Sequence, residues 1–317
     1  MEATLQAALA PSSIKNLQVQ QSIYRQFCNY FNLQMVPATR RTLCLFAQFL
    51  ARKFKAPSTI RNYLNGVRIL HALQCEDTEQ FYHPTLLLLQ KGLARNMQHC
   101  PRQALPISPA MLVAMRGMLD LHDPVDASYW SLIILSFFIF SRKSNMVPQP
   151  IAKFDPKKQL TRQDVIVKRN MLLVTIKWSK TIQFGQRQHI VPVLAIPGCP
   201  LCPVMAYKNM LRLVPAQSNV AAFLVTKGDK TQPITYRQFS AKLKSLLTAT
   251  GHTAAAYSTH SLRRGGASYM SSAGVSKEMI KLVGDWRSDA VDQYIQVDLP
   301  TKVKAAQLMR AQILQDI

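Results

Sequence analysis

Acid is scarce in this chain: sixteen Asp and Glu stand against thirty-nine Lys and Arg, a formal charge of +23 over 317 residues. That excess goes far beyond what solubility needs and makes a polyanion the natural partner. Long apolar runs are also lacking. The longest, Trp130 to Phe140, falls short of the roughly 18–20 residues of a spanning helix, and no N-terminal signal pattern precedes a small-residue cleavage site. A nucleic acid therefore fits the charge better than a membrane does. Cysteines are few and scattered (Cys28, Cys44, Cys75, Cys100, Cys199 and Cys202), which argues against a disulfide framework and for a reduced environment. Only Cys199 and Cys202 make a CxxC, with no second ligand pair at zinc spacing, so the expectation is a turn before a helix and no metal.

What the chain does have is enough apolar content, 48% over 317 residues, for a substantial core and two domains. Both parts are basic. Residues 1–98 carry eleven basic and four acidic side chains, and most of the remaining excess lies in residues 103–317, so both are expected to touch the polyanion.

The first hundred residues read as four helices with apolar stripes at helical spacing. Ser12 or Ser13 is expected to cap the first, with Leu17, Ile23, Phe27 and Phe31 inward. Thr39 precedes the second, with Leu43, Phe46 and Leu50. The third starts at Pro57 and sets Ile60, Leu64, Val67 and Leu70 on one side, leaving Arg61 and Arg68 on another; the fourth runs from Pro84 to about Met97. Three prolines between Pro101 and Pro109 mark a boundary, giving domains 1–100 and 104–317. Beyond it come helices at about 109–120 and 126–141. Val165–Val167, Leu172–Trp178 and His189–Leu194 then read as a three-stranded meander, the only clear strand region. Helices follow at about 202–213, 235–249, 260–272, 276–283, 288–295 and 301–315.

Several residues bear chemistry. Arg142 ends a helix whose preceding turns are almost wholly apolar, so its guanidinium emerges at the edge of a core, either paired with a carboxylate, snorkelling, or clamping a phosphate. His260 and Arg263 stand three apart at a helix start capped by Ser258 or Thr259, on one face, where the positive helix end suits a phosphate gaining charge. Trp286 and Tyr294, read singly, are core aromatics or side chains presented by the turn at Gly284-Asp285.

The run His260-Ser-Leu-Arg-Arg-Gly-Gly-Ala-Ser, followed by Gly284-Asp-Trp-Arg-Ser-Asp-Ala and Tyr294-Ile, resembles the catalytic domain of tyrosine recombinases, the phage-integrase family, most closely the versions carried by Crypton-like eukaryotic transposons. The likeness covers most of residues 104–300, with a helical DNA core-binding domain before it. It implies a mainly α, two-domain, C-shaped clamp around duplex DNA with a small antiparallel β-meander. It also implies a catalytic set of Arg142 (in Phe-Ser-Arg-Lys-Ser-Asn-Met), Lys180, His260, Arg263, Trp286 and the nucleophile Tyr294, with Lys177 as the alternative lysine. In that set two arginines and His260 stabilise the transition state, Lys180 protonates the leaving 5′ oxygen, and Trp286 hydrogen-bonds the phosphate. The product is a 3′-phosphotyrosyl link that conserves bond energy, so no ATP, cofactor or metal is implied.

Two features depart from the family pattern. Asn145 stands where a carboxylate commonly follows the first Arg, and the gap from Trp286 to Tyr294 is one residue shorter than in many prokaryotic relatives. Expectations that go with the resemblance are double-stranded DNA as partner, a homo-oligomer (dimer or tetramer) on DNA, no membrane, and a nuclear location. Arg61, Tyr63 and Arg68 are the candidate groove-facing residues. The stripe Ala305, Leu308, Met309, Gln312 and Ile313 on the last helix packs on its own domain or on a neighbouring subunit. Rival functions are a catalytically silent DNA-binding descendant of such an enzyme and a type IB topoisomerase.

Overall fold

The computed structural model describes residues 8–100, 103–179, 182, 187–227, 230–296 and 299–316. The chain divides into two compact units, Met1–Arg102 and Gln103–Ile317.

The first unit is four helices: α1 (Pro11–Tyr30), α2 (Arg40–Lys53), α3 (Pro57–Leu73) and α4 (Pro84–Asn96). Proline starts three of them at a position where its missing N–H is no loss. α2 instead uses Thr39, whose hydroxyl accepts from Thr42 N at 3.1 Å. The serine cap expected for α1 is absent; Ala10 occupies the N-cap with no side-chain bond. Leu43, Phe46, Leu50, Ile60, Leu64 and Val67 close the core. Phe31 does not, lying beyond the end of α1 and 51% exposed.

The second unit is built around α6 (Pro124–Phe138), which follows α5 (Pro109–Gly117). Asp123 caps α6 by accepting from Asp126 N at 2.8 Å, and every residue from Ala127 to Phe137 is buried. A helix apolar on all sides must be surrounded, and this one is. β1 (Val165–Val167), β2 (Met171–Ile176) and β3 (His189–Leu194) form the expected antiparallel meander. Leu172 pairs with Val193 and Val174 with Val191, and all four are buried on one face. A second hairpin, β4 (Leu224–Lys227) and β5 (Lys230–Pro233), was not expected. β5 is Lys-Thr-Gln-Pro, too polar to show an apolar alternation.

α7 (Lys143–Met146), α8 (Pro203–Leu213), α9 (Tyr236–Ala249), α10 (His260–Ser272), α11 (Lys277–Gly284) and α12 (Leu299–Asp316) complete the unit. Cys202 is the N-cap of α8, and its sulfur accepts from Ile196 N at 3.2 Å, so it serves the turn before a helix. Among the described residues no group of His, Cys, Asp or Glu could hold a metal ion, and no helix is long and apolar enough to cross a membrane.

The position of α10 depends on two glycines. A Cβ on Gly265 would fall on the Ile107 carbonyl, and one on Gly266 would fall on the Phe137 carbonyl and the Phe140 ring. The helix therefore touches backbone on both sides, with Ile107 N donating to Ser261 O at 3.1 Å. Gly266→Ala is expected to destabilise the second unit by about 1–3 kcal/mol through overpacking, read as a lower midpoint in urea unfolding; an unchanged midpoint would show that the contact yields.

Candidate active site

Arg142 does not end the long helix as expected. α6 stops at Phe138, and Phe140 takes the left-handed backbone conformation (φ 48°), which turns the chain so that Arg142 becomes the N-cap of α7. Its guanidinium is half-buried and has, among the described residues, neither a carboxylate nor a hydrogen-bond partner. A cation at the edge of a core without a counterion is set up to receive one from outside.

Arg263 is the opposite case. It is 2% exposed, and its two terminal nitrogens donate to backbone carbonyls, one to Phe140 O and the other to Gly284 O at 2.8 Å. Its carbon Cζ lies 3.8 Å from the centre of the Trp286 ring and 5.2 Å from that of Tyr294. Burial and the neighbouring Arg142 push its pKa down, while the Tyr294 phenol and Asp285 oppose the shift. A guanidinium stays charged at neutral pH through such a shift. Arg263 thus ties the turn after α6 to the end of α11 and lays two aromatic rings against a fixed positive charge.

His260 opens α10. The cap is made by Ser258, whose hydroxyl accepts from His260 N at 3.2 Å, and not by the Thr259 side chain. The residue is open to solvent on its outer side, yet its pKa is lowered, first by desolvation of the ring and then by Lys143, Arg263 and Arg142. It is therefore neutral at pH 7. Trp286, 7% exposed, packs against both Arg263 and Tyr294, its ring centre 5.1 Å from that of Tyr294. Tyr294 is half-buried at the C-terminal end of a 3₁₀ helix, Asp289–Gln293, where an α-helix over 288–295 was expected. Its backbone carbonyl accepts from Ser268 Oγ at 3.2 Å, which attaches the nucleophile candidate to α10. The structure therefore gathers Arg142, His260, Arg263, Trp286 and Tyr294.

Lys180 lies outside the described residues. Lys177 is committed elsewhere, with an ion pair to Asp164 at 2.6 Å and a bond to Pro156 O at 2.5 Å. Asn145 donates to Trp178 O at 2.6 Å, so the residue in the carboxylate position holds the chain just before Lys180 and does not neutralise Arg142. Arg61 and Arg68 line one shallow cavity with Asn65, whose Oδ1 accepts from Arg68 at 3.0 and 3.2 Å. Tyr63 packs instead on Phe54, ring centres 5.1 Å apart.

Sequence reasoning missed Asp285, the buried acid of this site. Held in the left-handed conformation at the end of α11 (φ 53°), it accepts from Ser179 Oγ at 2.7 Å and pairs with Arg187. It shares one cavity with Arg142, Asn145, His189 and Arg263. His189 adds a bond between its ring Nε2 and Val283 O at 2.9 Å. Residues 179, 187 and 189 are thereby tethered to the end of α11. The signal was present, since Asp285 is an acid inside a quoted motif of an acid-poor chain. The arrangement offers a phenol beside a fixed cation, a further guanidinium and an imidazole open to an anion, and a buried carboxylate: the equipment for holding a phosphodiester near an oxygen nucleophile.

No family model matches this chain, and no curated protein sequence matches it. Solved structures do. The Tn1549 transposon integrase in complex with transposon right end DNA aligns at a TM-score of 0.59 and 13% identity over 93% of each chain. The XerH site-specific recombinase in its post-cleavage complex with a palindromic difH substrate gives 0.57 at 13% identity, over 92% of this chain and 76% of that one. A lambda integrase dimer bound to a core site gives 0.54 at 10% identity, over 94% and 96%. The chain thus has the fold of the tyrosine recombinases.

Asp285→Asn keeps the size of the side chain and removes its charge. The change is expected to destabilise the second unit by roughly 1.5–3 kcal/mol, the range for a hydrogen bond to a charged group, measured by urea unfolding. Stability equal to wild type would show that the acid carries no counterion role.

Proposed function

We propose that the chain is a site-specific DNA recombinase or transposase of Crypton-like type that cleaves and rejoins DNA through a 3′-phosphotyrosyl intermediate. The observation that carries this reading is the grouping of Arg142, His260 and the Tyr294 phenol around Arg263 within a recombinase fold. In the proposed reaction Tyr294 gives its phenolic proton to solvent as its Oη attacks the scissile phosphorus, the bond to the 5′ oxygen breaks, and that oxygen takes a proton from Lys180, which solvent replaces. A 5′ hydroxyl attacking the phosphotyrosyl bond reverses the step and frees the tyrosine. Arg142 neutralises the phosphate from the open side and His260 donates a hydrogen bond to it; Arg263 holds Trp286 and Tyr294 in place and adds its field from behind.

Double-stranded DNA is the proposed partner, held through phosphate contacts by residues 1–100 and by the catalytic domain, 104–317. Arg61, Tyr63 and Arg68 are the proposed contacts of the first. Assembly as a dimer or tetramer is supported by the last helix, where Leu308, Met309 and Ile313 are 65%, 68% and 46% exposed. A nuclear location belongs to the same proposal.

On a nicked suicide duplex carrying a bound sequence selected from random DNA, the wild-type chain is expected to form a covalent protein–DNA adduct that Tyr294→Phe abolishes with DNA affinity unchanged. Binding without any adduct would favour a silent DNA-binding protein. Relaxation of supercoils without exchange between two sites would favour a type IB topoisomerase. Arg61→Ala and Arg68→Ala are each expected to weaken binding and to reduce the salt slope of log K by about one; an unchanged slope would take that residue off the phosphate backbone.

A further inference from the structure

Next to Arg142 stands a cation that the catalytic set does not use. Lys143 is half-buried at the start of α7, its Nζ 3.7 Å from the centre of the Tyr236 ring. Among the described residues it has no carboxylate partner. The ring under it is held by backbone, since Tyr236 N donates to Pro148 O at 2.8 Å. The ammonium also bonds the Tyr236 side chain, and an ammonium so placed keeps its remaining N–H groups available. The side chain also faces His260, of which it is the foremost charged neighbour, and Tyr236 in turn faces Thr259, the residue before His260. Arg142, Lys143 and His260 therefore make three adjacent basic groups with no acid among them. Asp285, in the cavity beside Arg142, has its own partners in Ser179 and Arg187.

We propose that Lys143 is a further substrate-binding residue of this site, its ammonium seated on Tyr236 and bound to the same DNA phosphate that Arg142 and His260 receive. The inference rests on the functional reading above for the identity of that phosphate as the scissile one. A structural lysine would be expected to pair with an acid or a carbonyl, as Lys177 does with Asp164 and Pro156. Lys143 makes neither bond.

The test is a thermodynamic cycle with the full chain. Each phosphate of a bound duplex is replaced in turn by a neutral methylphosphonate, and affinity is measured for wild type, Lys143→Met, Lys143→Arg and Arg142→Met. Lys143→Met is expected to weaken binding to unmodified DNA at least about tenfold, the scale of one charge-assisted contact. That loss should vanish at one methylphosphonate position, the same one at which the Arg142→Met loss vanishes. Lys143→Arg should keep most of the affinity. A merely structural role would give a loss that no single phosphate abolishes, and coupling to a phosphate other than the Arg142 one would equally overturn the proposal. The adduct assay separates the two readings. If the shared phosphate is found and no adduct forms there, the recombinase reading fails while Lys143 stands as a phosphate ligand.

Discussion

The site depends on one buried guanidinium. Arg263 bridges Phe140 O, at the exit from the central helix, and Gly284 O, at the end of α11. Both carbonyls belong to turns that contain a non-glycine residue in the left-handed conformation, Phe140 and Asp285. Such conformations are costly and persist only where surrounding contacts over-determine them. Arg263 supplies those contacts at both turns at once, and in doing so it lies against Trp286 and Tyr294 with Arg142 as a charged neighbour. Removing a charged group that satisfies two buried carbonyls leaves both unpaired, so this arginine is an element of the fold as much as of the chemistry.

Charge is distributed unequally around that bridge. The one buried acid of the site, Asp285, is turned toward Arg187 and Ser179, and it ties them to the end of α11. Away from it Arg142 and Lys143 are adjacent cations, and after desolvation they are among the causes that disfavour the charged form of His260. Such an array is unfavourable by itself and is relieved by a bound anion. In the proposed reaction binding energy and catalysis are coupled, because the phosphate that relieves the repulsion is the one that Tyr294 attacks.

Helices with strong signals were legible in the sequence. α2, α6 and α9 carry side-chain caps at their starts, and the meander shows clear alternation in Leu172, Val174 and Ile176. The β4–β5 hairpin was not legible, because half of it is polar. Arg142, His260, Arg263, Trp286 and Tyr294, which the family resemblance implies as a set, lie near one another in the second unit, yet their individual environments were not legible. Nothing in His-x-x-Arg says that the arginine is buried between two carbonyls while the histidine is open. That difference arises from Gly265 and Gly266, which let α10 close against backbone. Asp285 and Lys143 were passed over for a related reason. Each stands beside a motif residue, and only the left-handed turn and the Tyr236 ring give them their places.

The central claim is that Arg142, His260 and the Tyr294 phenol meet at one phosphate, with Arg263 behind them. A crystal structure of the chain with a cleaved target duplex and orthovanadate tests it directly, since vanadate takes the trigonal-bipyramidal geometry of the transferring phosphorus. The account predicts vanadium bonded to Tyr294 Oη and to the DNA ends, with Arg142 and His260 on its equatorial oxygens. Vanadate bound away from these side chains, or a tyrosine other than Tyr294 at its apex, would contradict it.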